Sequence, residues 1–395
     1  MSNFMPASNE KNSVPHNVQL AEDAFIGDPV DADKAGTIDD QRDMERVGKK
    51  QHFRRNFRFL SILGFILSLT SVWEAVLLVC NYGLINGGIA GMFWTQLAVG
   101  LGFVMVILSL AEMSSMAPTS SGQPHWVSEF APRQYQRFLS YIIGWLCVMG
   151  WQTGAAINSY LVTALVQGLI ILHNPEYIPE GWHGTLMIIA TAFMGIFINT
   201  FLVKKLPLIE MTAFIVHIVG FFIVVIPMWV MAPHNSAAKV FTKFEDNGNW
   251  GNMGLACLVG MTGAIFGLIG PDSAVHMAEE IKDASRIVPL AMIYAAIFNS
   301  ILGLLMVVTI GFTIGDIPSV LATKTDSPMI QIFFDSTKSY WATAVMTSIV
   351  IFMMFSSLIN SIASSSRQMF AFARDKGLPM SSWLSYVRPA PGKSD

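Results

Sequence analysis

Apolar residues form long, nearly unbroken blocks along this chain, and short polar segments separate one block from the next. A helix that crosses a hydrocarbon core of roughly 30 Å needs about 20 residues, and each block is at least that long. Because the backbone finds no water inside lipid, such blocks must be helical. The pattern predicts eight spans, at about 60–79, 88–111, 138–171, 183–203, 207–232, 254–280, 288–314 and 340–365.

The composition supports this class, since charged residues make up only 13% of 395 residues. A soluble domain of this length would need far more charge to cover its surface. The three cysteines lie in or beside apolar blocks, and this position indicates small residues of membrane helices rather than a disulfide framework or a metal site. The sequence therefore predicts an all-α membrane protein.

The polar start of the chain differs in kind from the rest. Residues 1–58 carry scattered Pro, Gly and Asp without an apolar period, which predicts a disordered tail. Lys and Arg concentrate in this tail and in every second loop, so both termini are predicted to be cytoplasmic. The domain prediction is a cytoplasmic tail at 1–58, a transmembrane domain at 59–380 and a cytoplasmic end at 381–395.

A helix break in the sixth span is the strongest indication of a binding site. Gly263, Gly267, Gly270 and Pro271 permit unwinding, and a broken helix exposes backbone groups that can bind a solute. Asp272 follows at once. It either caps the next half-helix or lies beside the unwound segment, where it could hold a substrate ammonium or a proton.

The first span offers a second, subtler break. Hydroxyl groups at Ser68, Thr70 and Ser71, around Leu69, either satisfy backbone groups of an opened helix or bond back within an intact one. Glu74 follows, and a carboxylate within a span by default marks a function, here a proton carrier or a counter-charge. The alternative is that Glu74 lies near the outer end and reaches water.

Some aromatic side chains could stack on a substrate ammonium by cation–π attraction, although most must serve packing. The candidates are Trp73, Trp151 with its neighbour Gln152, and Phe266. His217, in the fifth span, is more typical of a core histidine than of a proton relay.

Charged residues at the cytoplasmic helix ends form either solvated pairs or a gate that opens by remaking such pairs. The gate candidates are Glu112, Glu279, Glu280, Arg286 and Arg367.

No segment has the pattern of a nucleotide-binding loop, a metal-ligand cluster, a nucleophile elbow or a basic stripe for nucleic acid. We therefore predict no cofactor, no metal, no nucleic-acid partner and no enzymatic activity. A small-molecule substrate, membrane lipids and protons as the coupling ion remain as partners.

Several segments resemble one known family. They are 109–113, 117–126, 276–280, 286–289 and 366–379, and they occur in the family's order between about residues 58 and 380. Together they resemble the amino acid–polyamine–organocation superfamily, most closely its fungal branch of amino acid, GABA and choline permeases.

The resemblance implies an inverted five-helix-repeat fold like that of the leucine transporter, with substrate between broken helices one and six. In family terms, Ser68 to Ser71 fall on the first break and Phe266 to Asp272 on the second. The resemblance implies proton-coupled or facilitated uptake at the plasma membrane or the vacuolar membrane.

Two departures from the family pattern modify that expectation. The first break lacks the glycine-rich pattern at which backbone amides meet a substrate carboxylate, which leaves room for choline, GABA or a polyamine. The chain also ends after the eighth predicted span, so the second repeat is expected to be incomplete. The prediction is a symporter of amino acids or related amines, and the alternative is a nutrient sensor that does not transport, or an inactive truncated permease.

Overall fold

The computed structural model describes residues 36–49 and 51–387, most of which are helical. The helices are α1 Ile38–Arg46, α2 Phe59–Thr70, α3 Val72–Ile85, α4 Gly88–Met116, α5 Gln123–Phe130, α6 Gln136–His173, α7 Gly181–Phe201, α8 Leu206–Met231, α9 Ala237–Thr242, α10 Met253–Leu268, α11 Ser273–His276, α12 Ala284–Thr313, α13 Ile317–Leu321, α14 Pro328–Thr337, α15 Tyr340–Arg374 and α16 Ser381–Leu384. Two 3₁₀ turns, Val203–Lys205 and Ala278–Glu280, and two short paired strands, β1 Asn86–Gly87 and β2 Glu245–Asp246, complete the described elements.

Within the described residues, eight helical stretches are long and apolar enough to cross a membrane. They confirm the predicted number of spans, and the chain is a multi-pass integral membrane protein. The first span comprises α2 and α3, and the sixth comprises α10 and α11, while α4, α6, α7, α8, α12 and α15 each form one span.

The first span is broken at Ser71, whose backbone is left-handed with φ 39° and ψ 55°. Hydroxyl groups bind the carbonyls that the break releases. Ser71 Oγ donates to the carbonyl of Ser68 at 2.7 Å, and Ser357 Oγ of α15 donates to the carbonyl of Leu69 at 2.5 Å. The opened helix, rather than the intact one, is therefore the arrangement of this span.

The sixth span is broken between Leu268 and Ser273, where the glycines and the proline predicted it. Gly270 has φ 114°, a conformation that side chains rarely adopt, and a Cβ there would lie 2.6 Å from Leu69 Cδ2. The missing side chain thus lets the second break approach the first.

Two apolar clusters form the core on either side of these breaks. The larger one lies around α3, α8, α12 and α14 and includes Trp73, Phe221 and Met306. The smaller one lies around α2, α5 and α12 and includes Phe65 and Trp126. The two halves of the first span therefore pack in different clusters, while α12 runs through both clusters.

The described part of the tail is not disordered, which corrects the prediction for residues 36–49 and 51–58. Helix α1 begins with a capping box at Thr37, and the Asp40 carboxylate accepts the backbone N–H groups of Asp283 and Ala284 at the start of α12. Arg55 binds Asp40 at 3.1 Å, and both side chains are buried. The polar composition did not indicate that this segment is ordered, because its buried contacts are made by a few charged groups rather than by an apolar stripe. Residues 1–35 of the predicted tail lie outside the described residues.

Helix α15 extends beyond the predicted end at about 365, to Arg374. This last part of the helix carries Arg367 and Arg374. Carboxylates on the 3₁₀ turn 278–280 pair with both arginines.

Candidate functional site

A cavity of about 870 Å³ lies between the two helix breaks. Leu69 and Thr70 reach it from the first break, and Phe266, Gly270 and Asp272 from the second. Helix α6 forms one wall between Ile143 and Leu161, and α15 contributes the side from Met354 to Ser361. The cavity therefore lies where four spans meet and where two of them lack regular backbone bonding, which is the position that favours solute binding.

The cavity wall is mainly apolar. Asp272 is the only charged side chain among the described residues that line it. Trp126, Trp151 and Phe266 add aromatic surface, and no lysine or arginine of the described lining offers a counter-charge to an anion. This arrangement fits a cationic or amine-bearing group near Asp272.

Asp272 does not cap the second half-helix with its side chain, although the sequence left this alternative open. Its Oδ2 accepts a hydrogen bond from Gln123 Nε2 of α5 at 2.7 Å and lies 3.7 Å from His276 Nε2. The carboxylate is thus held between α5 and α11 at the cavity wall, where a ligand can reach it.

Trp151 is fixed in the cavity wall by His276. The indole Nε1–H donates to His276 Nε2 at 2.9 Å, and His276 Nδ1 lies 3.0 Å from the carbonyl of Ser120. Because an indole N–H only donates and a carbonyl only accepts, Nδ1 carries the imidazole proton and His276 is neutral. The imidazole therefore connects a cavity aromatic to the loop before α5.

Several predicted site residues lie outside this cavity. Ser68, Ser71, Trp73 and Glu74 are fully buried in helix packing. Gln152, one residue after Trp151, is exposed, and its Nε2 lies 3.9 Å from Met369 Sδ.

Two of the predicted glycines in the sixth span serve packing between spans. A Cβ at Gly263 would lie 3.2 Å from Tyr82 Cβ, and one at Gly267 would lie 3.5 Å from Ala75 Cβ. Both glycines therefore allow close contact between α10 and α3, rather than lining the cavity.

Ion pairs lie at the end of the bundle that holds α1, which we call the amino-terminal face. Arg374 binds fully buried Glu279 with two nitrogens, at 3.0 and 2.8 Å, and Arg367 binds Glu280 at 2.7 Å. Lys49 pairs with Asp375 there. Arg374 is a member of this network that the sequence did not propose.

The remaining gate candidates and the loop before α5 complete this face. Glu112 and Arg286 are exposed. The Ser120 N–H donates to Glu279 Oε1 at 3.3 Å, so the loop is joined to the same carboxylate as Arg374. The loop leads into short helix α5, and burial there lowers the pKa of His125, with Lys49 acting in the same direction.

Glu210 of α8 is a buried carboxylate that is not among the site residues predicted from the sequence. Its Oε2 accepts from Ser68 Oγ and from Asn360 Nδ2, both at 2.8 Å, and the described residues supply no cation that pairs with it. The sequence does contain an indication of this residue, since an acidic residue within an apolar block by default marks a function. Asn360 had no such signal, because its role depends on α15 packing beside α2.

Glu74 and His217 form a second buried polar group. His217 Nδ1 lies 2.9 Å from Glu74 Oε1, and neither side chain is exposed. Glu74 thus does not reach water at the outer end of its span, and His217 is not isolated in the core.

The chain matches known proteins over most of its length. A family model described as "Amino acid permease" matches residues 57–393. A putative amino acid/polyamine transporter of Macrophomina phaseolina is 32% identical over 332 residues, which cover 84% of this chain and 73% of that protein.

Two transport proteins of Saccharomyces cerevisiae are also similar. The choline transporter is 27% identical over 98% of this chain and 68% of its own length. The GABA-specific permease is 28% identical over 90% of this chain and 63% of its own length. The matches thus span between 63% and 73% of the length of these three relatives.

Proposed function

This chain belongs to the amino acid permease family, and on that premise we propose that it is a secondary transporter of amino acids or related amines. The substrates that we propose are GABA, choline or a polyamine, moved with protons by alternating access around the two broken spans. The observation that carries the proposal is the cavity between these breaks, with one carboxylate in an aromatic and otherwise uncharged wall.

The cavity wall favours an amine over a simple anion. A substrate ammonium would pair with Asp272 and lie against the faces of Trp151 and Phe266. A substrate carboxylate would instead depend on the N–H groups at the start of α3, which a helix N-terminus leaves without intrahelical partners. A substrate with both groups, such as GABA, could use the two ends together.

The broken spans suit alternating access. The halves of the first span pack in different apolar clusters, so a hinge at Ser71 would let one half-helix change its angle while the other keeps its own packing. At the amino-terminal face, the Glu279–Arg374 and Glu280–Arg367 pairs would form the gate. We propose that this face is cytoplasmic, because Lys and Arg concentrate in its loops, and that the protein resides in the plasma membrane or the vacuolar membrane.

Uptake by proteoliposomes containing the purified chain tests the proposal. Labelled choline, GABA, putrescine and a set of amino acids are offered with and without an inward proton gradient. We expect gradient-driven accumulation of at least one amine. Binding without uptake would favour the nutrient-sensor alternative. The absence of both binding and uptake would refute both functions for this chain.

A matched pair of variants tests the assigned site. Asp272→Asn removes the cavity charge and should strongly reduce uptake of a cationic substrate. Asp316→Asn changes an exposed carboxylate that caps α13 through the Ser319 N–H, a role that Asn also fills. This control should transport like the unmutated chain, and equal uptake by both variants would remove Asp272 from the site.

A further inference from the structure

The buried pair of Glu74 and His217 joins two spans beside the first helix break. Glu74 lies on α3, three residues after Ser71, and His217 lies within α8. The Trp73 indole packs against the imidazole with ring centroids 6.1 Å apart and donates its N–H to the His217 carbonyl at 3.2 Å. Ionisable groups buried at this depth are costly unless they are paired or functional.

A chain of hydrogen bonds connects this pair to the cavity. His217 Nε2 lies 3.1 Å from Asn299 Oδ1 of α12, and Asn299 Nδ2 lies 2.5 Å from Thr70 Oγ1. Thr70 lines the cavity, whereas Glu74, His217 and Asn299 do not. The cavity wall therefore contacts the buried pair through one amide and one hydroxyl.

The donor and the acceptor of each hydrogen bond in this series can be assigned from the end at Thr70. Thr70 Oγ1 lies 2.8 Å from the carbonyl of Ile66, which can only accept, so the Thr70 hydroxyl donates there. Asn299 must then donate its Nδ2–H to Thr70, which turns its Oδ1 towards His217. Because an amide oxygen only accepts, His217 Nε2 carries a hydrogen.

This assignment leaves one variable proton, between His217 Nδ1 and Glu74 Oε1. Either the carboxyl group is protonated and donates to a neutral imidazole, or an imidazolium donates to a carboxylate. Both forms have no net charge. Without that proton, the Nδ1 lone pair would face a carboxylate oxygen at 2.9 Å, which is repulsive.

We propose that Glu74 and His217 together bind the proton that is coupled to substrate movement, an inference that rests on the proposed transport function. With the proton bound, the pair holds α3 against α8. When the proton leaves, the contact must open, and the hinge at Ser71 lets α3 move away from α8. Any displacement of His217 also releases Asn299 and Thr70, so the cavity wall changes with the protonation of the pair.

Few other groups act on this pair. His217 is the one ionisable side chain of the described residues that acts on the Glu74 carboxylate, and Glu74 Oε2 has no hydrogen-bond partner among them. Helix α12 presents neutral Asn299, and α15 approaches α8 at Gly220 through the aliphatic Ile349. On α8 itself, Glu210 is the nearest titratable group along the chain, and it binds Ser68 instead.

Glu74→Gln tests the proposal because it imitates the protonated pair. A glutamine N–H can donate to His217 Nδ1, so the contact between α3 and α8 persists but cannot lose a proton. The assays are substrate counterflow without a pH gradient, and accumulation driven by a gradient of one pH unit at zero membrane potential. If one proton moves with each substrate, that gradient supports about tenfold accumulation.

We expect the unmutated chain to show counterflow and about tenfold accumulation. Glu74→Gln should keep counterflow but should not accumulate substrate above the outside concentration. Glu74→Gln combined with His217→Gln should behave in the same way, and it provides a second neutral pair. The matched control is Glu176→Gln at an exposed loop position, which should leave both assays unchanged.

The possible failures are distinguishable. Gradient-driven accumulation by Glu74→Gln would overturn the assignment of the pair. Loss of counterflow in both the single and the double variant would also overturn it, because the pair would then be needed for movement of the substrate itself. If the unmutated chain exchanges substrate but ignores the gradient, proton coupling is refuted, and absence of any transport refutes the proposed function.

Discussion

The buried ion pair at the amino-terminal face yields the sharpest quantitative prediction. Arg374→Met removes the two nitrogens that bind Glu279 at 3.0 and 2.8 Å. Glu279 is fully buried, and its remaining hydrogen-bond donor is the Ser120 N–H at 3.3 Å. The variant therefore leaves a carboxylate in the protein interior without its ion-pair partner, and Arg55 is then the cation that still acts on it.

Removing one partner of a buried ion pair costs about 3–5 kcal/mol. That penalty falls on the arrangement in which the pair is closed. An arrangement in which Glu279 reaches water avoids it, so the ratio of open to closed forms should rise by about 100-fold or more. If the pair holds this face shut, the variant should open the cavity towards it.

Cys147, a free cysteine in the cavity wall, reports this opening. Replacing Cys257 by Ser leaves Cys147 and the buried Cys80. A membrane-impermeant thiol reagent applied at the amino-terminal face should alkylate Cys147 faster in Arg374→Met than in the parent, by up to about 100-fold where the closed form predominates in the parent.

Two further variants separate the buried charge from other effects of substitution. Lys338→Met breaks an exposed pair with Asp335, which contributes about 0–1 kcal/mol, and should leave the rate unchanged. Adding Glu279→Gln to Arg374→Met removes the uncompensated charge and should restore much of the parent rate. The reasoning would be refuted if Cys147 were alkylated at the same rate in Arg374→Met and in the parent. It would also be refuted if the double variant were alkylated as fast as Arg374→Met.

Three other predictions follow from the structure. Substrate at saturating concentration should protect Cys147 from alkylation in the unmutated chain, and an unprotected thiol would place the substrate elsewhere. Gly270→Ala should cost about 1–3 kcal/mol of stability because the backbone there has a positive φ, and the contact of the new Cβ with Leu69 should add to that cost. Both thermal stability and uptake should therefore fall. Unchanged values would show that the two breaks do not need this close approach. Asp40→Asn should lower the unfolding temperature, because burial lowers the pKa of Arg55 and the Asp40 carboxylate opposes that effect. Loss of the Asp40 charge therefore leaves the buried Arg55 cation poorly compensated. An unchanged unfolding temperature would mean that α1 is not part of the stable fold.

The sequence predicted the spans because the requirement behind them is local. Every residue in a span must suit lipid or the interior of the bundle, so hydropathy alone gave the number of spans and most of their limits. The break in the sixth span was also local, since Gly270 and Pro271 weaken the helix by their own backbone properties. The predicted disorder of residues 36–49 and 51–58 was wrong, because a capping box and a buried charge pair there replace the apolar stripe of an ordinary packed helix.

Only the tertiary structure decided which side chains meet. In a helix that is apolar on all sides, periodicity does not reveal which face turns inward, so Trp151 in the cavity wall and exposed Gln152 could not be told apart. Glu74 finds its partner 143 residues away, and no local pattern encodes such a distance. The sequence thus determined the lipid-embedded helices and their weak points, and the packing of those helices decided which polar groups line the cavity and which buried charges neutralise one another.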